Sequence, residues 1–225
     1  VSEDLVTDGS GGNRLHENAR RFFDELWSQG DPWDLETSEL DQHRYTRQIE
    51  LLADRRYATA LEIGCAAGAF TRQLAPLCDA TLAMDISSAA IEDARECGAG
   101  PSVEFRVQNV MEFDAVAEGP WDLVVLTETA YYLGWLYPLF EVGWLAHWLH
   151  QATAHGGRLL LANTFGPDHG IMSPWLIQTY RDLFLAVGYE LTHEEKLAGV
   201  KETVPMEILV SVFEKTIDSA QDVHH

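Results

Sequence analysis

The chain changes its hydrophobic period near residue 57, and this change limits the fold more than any other feature. Upstream, apolar residues recur at helical spacing: Leu15, Ala19, Phe22, Phe23 and Leu26 share one face of an expected helix over 14–30. Asp31-Pro32-Trp33 breaks it, and a second helix is expected over 38–52 with Ser38 as its cap. Downstream, short apolar runs alternate with helical segments. Strands are expected at 59–63, 81–84 (ending at Asp85), 103–107, 121–126 and 158–162, the last after a Gly156-Gly157 turn. Helices are expected at 70–77, from the Ser87 cap to 97, at 136–150, and at 175–187 before Gly188. Such alternation implies a parallel sheet covered on both faces. The nearly all-apolar run 121–126 suits a strand buried on both sides. The last two β segments, 189–197 and 206–213, are separated by too few residues for a helical crossover and are expected to pair antiparallel. The expected fold is therefore α/β: a doubly wound, mostly parallel, seven-stranded sheet closed by a C-terminal antiparallel hairpin. Residues 1–13 are expected to be flexible, 14–55 to form a helical lid on the 57–215 core, and 216–225 to be a tail.

Charge narrows the partners. Fifteen Lys and Arg stand against 36 Asp and Glu, a formal charge of −21. Such a surface repels phosphate backbones and anionic lipid headgroups, so neither nucleic acid nor a membrane surface is an expected partner. A neutral or cationic small molecule suits this field. Cys65, Cys78 and Cys97 are odd in number and form no C-x-x-C pair, which points to a reducing, cytoplasmic setting. The start of the chain lacks the apolar segment of a secretory signal. The apolar stretch 130–149 is interrupted by Glu141 and His147 and reads as a buried helix rather than a stable membrane span. Oligomeric state leaves no signal.

Four places at strand ends carry chemistry. In Leu61-Glu62-Ile63-Gly64-Cys65-Ala66-Ala67-Gly68-Ala69-Phe70 a strand enters a loop of small residues and then a helix. Small residues allow close approach to a ligand, and the helix start offers free N–H donors; an ordinary strand-to-helix turn would look much the same. Asp85, followed by Ile86, ends the second strand at the carboxyl edge where open α/β sheets bind ligands; it could instead simply cap the next helix. Asn109, Val110 and Met111 follow the third strand, and Thr127, Glu128, Tyr131 and Tyr132 follow the fourth. A carboxylate after a buried strand, such as Glu128, needs a partner, whereas Tyr131 and Tyr132 also fit a plain aromatic core. His147, His150 and His155 lack a cysteine or carboxylate to complete a metal set, so no metal site is expected.

The spacing Glu62-x-Gly64-x-x-x-Gly68 resembles the first motif of class I, Rossmann-like methyltransferases, with Ala66 where a middle glycine is usual. Most of the chain, roughly 14–215, further resembles the rhizobial nodulation-factor N-methyltransferases, the nodulation protein S family. Asp31-Pro32-Trp33 through Tyr45, 61–68 and 127–133 carry that resemblance. It implies S-adenosyl-L-methionine as cofactor and S-adenosyl-L-homocysteine as product. Glu62, Gly64, Cys65, Ala66 and Gly68 would lie under the methionine and ribose, with Asp85 and Ile86 at the ribose. Asn109, Val110 and Met111 would meet adenine, with Thr127, Trp33 and Tyr45 completing the cofactor site. It also implies an acceptor: the free amine of the non-reducing-end glucosamine in a de-N-acetylated chitooligosaccharide. Glu128 would then orient the amine or take its proton, with Tyr131 and Tyr132 shaping the pocket. Trp33, Tyr45, Trp175 and the same two tyrosines could pack on pyranose faces, and His169 could touch sugar hydroxyls. A small-molecule O- or S-methyltransferase, or a catalytically silent cofactor-binding protein, remains an alternative.

Overall fold

The computed structural model describes residues 10–166, 170–201 and 203–216, with side chains from 14 onward. Two helices, α1 (Ser10–Trp27) and α2 (Glu39–Leu52), precede the sheet. The sheet elements then follow as β1 (Tyr57–Ile63), α3 (Ala69–Leu74), β2 (Cys78–Asp85), α4 (Ser88–Cys97) and β3 (Val103–Val107). The second half runs α5 (Ala115–Glu118), β4 (Trp121–Thr127), α6 (Ala130–Leu136), α7 (Leu139–Ala152), β5 (Thr153–Phe165), α8 (Pro174–Ala186), β6 (Tyr189–Lys201) and β7 (Val204–Lys215). The seven strands lie in the order β3-β2-β1-β4-β5-β7-β6. The first five are parallel to one another, and β7 runs antiparallel to both β5 and β6.

Alternation along the central strands builds two cores. Val124 and Leu126 of β4 face one side with Leu61, Ile63, Leu159 and Leu161, under α6, α7 and α8. Leu123 and Val125 face the other with Ala60, Leu160 and Ala162, against α2 and α3. The reversal of strand order falls at β1 and β4, and the carboxyl ends of these strands open beneath α1.

Several boundaries differ from the sequence pattern for local reasons. α1 begins at Ser10 and ends at Trp27; residues 1–9 and 217–225 lie outside the described residues. The helix expected at 70–77 becomes α3 plus a 3-10 turn, Ala75–Leu77, because Pro76 supplies no N–H to continue the helix. The helix expected at 136–150 is α7, which starts only after Pro138, and a separate helix that the pattern did not show, α6, precedes it. Gly156-Gly157 is no turn ahead of β5. It lies within that strand, where Gly156 has φ +73 and the register against β4 slips. The hairpin strands also run further toward each other than expected, to Lys201 and from Val204. Among the described residues no helix is long and apolar enough to cross a membrane.

Candidate active site

One deep cavity opens at the carboxyl ends of β1, β2 and β4. Its floor is the loop after β1. Gly64 and Cys65 both donate backbone N–H groups to Met84 O, at 2.8 and 3.0 Å, which stitches the loop to β2. Gly64 has φ +77, and a Cβ there would collide with the Thr129 hydroxyl, itself fixed on Ile63 O at 3.1 Å. Ala66 takes φ +51, a left-handed conformation that costs an L-residue energy. Asp85 helps to hold it there by accepting the Ala66 N–H at 3.0 Å.

Asp85 does double service, since its other oxygen accepts Ser87 N–H at 2.9 Å. The helix-ordering role and a place in the cavity wall therefore coexist. Burial raises its pKa, while the Ser87 and Ala66 N–H groups pull it back. Glu62 is fully buried, and among the described residues neither carboxylate oxygen makes a hydrogen bond of good geometry. Burial pushes its pKa up to about 8; the neighbouring Thr71 hydroxyl pulls it back, and nearby Asp85 adds to the rise.

At the third strand end, Asn109 accepts Met111 N–H at 3.0 Å and donates to Tyr137 Oη at 2.9 Å. His16 of α1 lies 3.0 Å from the same amide nitrogen. The first helix thereby closes this end of the cavity. It is also pinned in its last turn: Asp24 accepts from Ser87 Oγ (2.9 Å) and from the Ser88 N–H (2.7 Å). Phe23 and Trp33 pack against Tyr132, with Trp27 on Trp33.

The fourth strand end holds a chain of charges. Glu128, at φ +56, places Oε1 where Arg44 Nη1 (2.7 Å) and Thr164 N–H (2.8 Å) both donate to it. Tyr131 Oη donates to Oε2 at 2.8 Å. Arg44 also pairs with Asp41 at 2.8 Å, and Asp41 takes Lys201 Nζ at 2.6 Å from the far strand β6. Two cations and two anions alternate. Burial alone would lower the Arg44 pKa, but Glu128, with smaller contributions from Tyr45 and Asp41, raises it above its ordinary value. Burial and Glu128 together push the Tyr131 phenol well up.

The structure brings Glu62, Gly64, Cys65, Ala66, Asp85, Ile86, Asn109, Val110, Thr127, Glu128, Tyr131, Tyr132, Trp33 and Tyr45 to the cavity wall. Two residues expected at the cofactor are not in the wall. Gly68 caps α3 behind the loop, where a Cβ would approach Phe105 Cζ to 3.0 Å; its left-handed φ of +79 serves the turn. Met111 turns into the hydrophobic core from its 3-10 turn. Trp175 does not line the cavity and is 67% exposed, and His169 lies outside the described residues. Sequence reasoning missed Arg44, Asp41 and Lys201. The available signal was the α2 pattern, in which Asp41, Arg44 and Gln48 occupy the same helix face as Leu40, Tyr45 and Leu52. Polar residues on a buried face imply partners. Gln48 has one in Thr127, at 3.2 Å.

A family model described as Nodulation protein S (NodS) matches residues 16–137, from the helix over the cavity through the fourth strand end. Nodulation protein S of Rhizobium tropici is 35% identical over 154 residues, covering 68% of this chain and 62% of that protein. Nodulation protein S of Bradyrhizobium diazoefficiens is 39% identical over 105 residues, covering 46% and 49%. The matched stretch thus spans about half the length of the Bradyrhizobium relative and somewhat more, 62%, of the Rhizobium one. Among solved structures, N-methyltransferase NodS from Bradyrhizobium japonicum WM9, crystallised with S-adenosyl-L-homocysteine, superposes with a TM-score of 0.72 at 23% identity. That match covers 89% of this chain and 98% of that one. A DhpI complex with the same product gives 0.65 at 20% identity, covering 90% and 97%. These likenesses identify the fold as the Rossmann-like class I methyltransferase fold. With more than half of its residues inside the matched family model, the chain belongs to the nodulation protein S family.

Proposed function

We propose that the protein is an S-adenosyl-L-methionine-dependent N-methyltransferase, acting on the free amine of the non-reducing-end glucosamine of a de-N-acetylated chitooligosaccharide. In this reading residues 14–55 serve as a lid over the 57–215 core. The observation that carries it is the cavity itself, whose wall holds both the cofactor-type loop and the Glu128–Tyr131 pair. Family membership supports the assignment, and the acceptor is inferred from the family resemblance.

The residues suit such a cofactor. Glu62, a buried carboxyl that holds its proton near neutral pH, can donate a hydrogen bond to a polar group of the cofactor or ionise beside a cationic one. The backbone of Gly64 to Ala66 is kept thin and exposed to the cavity. Asp85 retains lone pairs for ribose hydroxyls after accepting its two N–H groups. When bound, the cofactor supplies an activated sulfonium methyl group.

The chain then has to present an unprotonated amine in line with that methyl. An ionised carboxylate only accepts hydrogen bonds, so the Tyr131 hydroxyl must donate to Glu128. Its remaining lone pairs can accept an amine N–H. Glu128 Oε1 is occupied by Arg44 and Thr164, which leaves Oε2 as its only side toward a substrate. The Tyr131 oxygen and Oε2 together form an acceptor pair for the amine. They hold its nitrogen lone pair toward the methyl and receive the proton shed on methylation. Tyr132 and Trp33 wall the same region and offer ring faces to a pyranose. The surrounding acidic surface draws in a protonated amine, which gives its proton to solvent before the nitrogen takes its place at Oε2.

The test is transfer of labelled methyl from S-adenosyl-L-methionine to glucosamine oligomers, deacetylated and fully N-acetylated. The reading expects label only on oligomers with a free terminal amine. Label on hydroxyl or thiol acceptors alone would replace the acceptor. Cofactor-product binding without transfer to any acceptor would mark a silent cofactor-binding protein.

A further inference from the structure

The outer face of α7 carries an unusual surface. Phe140, Trp144 and Trp148 follow one another at four-residue intervals and are 73%, 47% and 51% exposed. Their rings contact in series, Phe140 to Trp144 and Trp144 to Trp148, with centroids 6.0 Å apart in each pair. Leu139, 54% exposed, extends the row. The opposite face of the helix, with Val142, Leu145, Ala146 and Leu149, is buried in the core. This helix therefore shows apolar side chains both inward and outward. A contiguous row of exposed aromatics of this kind marks an interaction surface.

We propose that this face is the contact between two copies of the chain, packed as an antiparallel α7 pair around a two-fold axis at Trp144. Three features point to a second copy. The row is symmetric about Trp144, with Phe140 one turn before it and Trp148 one turn after. In an antiparallel pair Trp144 faces its own counterpart, and each Phe140 lies beside the opposing Trp148. A two-fold contact requires this self-complementarity.

The area also fits. At about 150–250 Å² for an aromatic side chain, the exposed parts of the three rings and Leu139 amount to roughly 500 Å² of apolar surface. A standard interface takes about 800 Å² from each partner, of which about 65% is apolar in homodimers. The apolar share needed is thus about what the row supplies.

Charge selects the same partner. Between residues 129 and 157 the only Asp, Glu, Lys or Arg is Glu141, in a chain of formal charge −21. Two such chains repel each other over most of their surfaces and can meet through a charge-poor face. A strongly charged macromolecule finds only Glu141 on this helix to pair with. Screening that repulsion strengthens the contact, so association tightens with salt, opposite to an interface built on ion pairs.

Sedimentation equilibrium at low and physiological salt tests the proposal on the full chain. We expect a species of twice the 25.2 kDa chain mass at about 100 µM, with a dissociation constant that falls as salt rises. Trp144→Glu and Trp148→Glu each place a carboxylate on an already exposed site, and each should weaken association at least a hundredfold with the circular dichroism spectrum unchanged. Trp175→Ser, exposed but on α8, should leave association as it is. A monomer at both salt concentrations overturns the proposal. So does a dimer that survives Trp144→Glu, or a monomer whose α7 face becomes protected only when glucosamine oligomers are added, which would assign the row to the glycan.

Discussion

Replacing Arg44 with methionine removes the cation that ties α2 to Glu128 at the fourth strand end. Arg44 is 2% exposed and stands between Glu128 at 2.7 Å and Asp41 at 2.8 Å. Methionine keeps the length and the apolar contacts of the stem. Glu128 then loses its counter-ion while Thr164 N–H and Tyr131 still serve it, and Asp41 retains Lys201. Breaking a buried pair from one side costs about 3–5 kcal/mol; with those partners left, the expectation is the lower end, about 3 kcal/mol. For a chain of this size that lowers Tm by about 6–12 °C. The second arm is Arg44→Met with Glu128→Gln. An amide next to methionine no longer buries an unpaired charge, so the double variant should recover about 2 kcal/mol of the summed single losses. Urea unfolding of the four proteins measures the cycle. A coupling energy below about 0.5 kcal/mol would refute the argument that Glu128 is held by charge.

Three further outcomes follow from the same site. Tyr131→Phe keeps the ring and deletes the hydroxyl, so kcat should fall on the order of ten- to a hundredfold while S-adenosyl-L-homocysteine affinity in calorimetry changes little; equal losses in both would place Tyr131 in the cofactor site. Gly64→Ala puts a methyl against the Thr129 hydroxyl at φ +77, and should weaken cofactor-product binding in calorimetry; adding Thr129→Ala clears the hydroxyl and should restore part of it, leaving the left-handed backbone strain of about 1–2 kcal/mol; normal binding in the single variant would show that the loop readjusts. The folded-state pKa of Glu62, about 8, lies above the ordinary carboxyl value, so between pH 5 and 8 the native state holds a proton that the unfolded chain releases. Its contribution is thus fully present at low pH and lost as pH rises. Relative to Glu62→Gln, wild-type unfolding free energy should decline by about 1 kcal/mol per pH unit across that window, and parallel pH profiles would rule the buried proton out.

The parts legible in the sequence were those written in local pattern. β4 is apolar at every position from Leu123 to Leu126, and both cores use it, so its central place needed no partner to be seen. The short 198–205 connection fixed the antiparallel ending. Glu128 was expected to need a partner because it follows that strand, yet the partner itself lies 84 residues earlier, on a helix that approaches only once the chain is folded. No spacing rule connects Arg44 with Glu128, or Asp41 with Lys201. The α6 helix was missed because seven residues ending before Tyr137-Pro138 leave too few turns for a period to show. Asn109 illustrates a different limit: its residue type suited a ligand contact, while the structure already commits its amide to Met111, Tyr137 and His16.

The hold of Asp24 on Ser87 and Ser88 has a consequence for regulation by distance. Asp24 does not line the cavity, but the helix start it grips is the one that Asp85 also orders through Ser87. If ligands bind only with α1 in place, the apparent dissociation constant is the intrinsic one divided by the fraction of chains so arranged. A change that leaves α1 seated one-tenth of the time weakens binding tenfold with every wall residue intact. Affinity then becomes a readout of how firmly one surface helix is fastened, adjustable over an order of magnitude from outside the cavity.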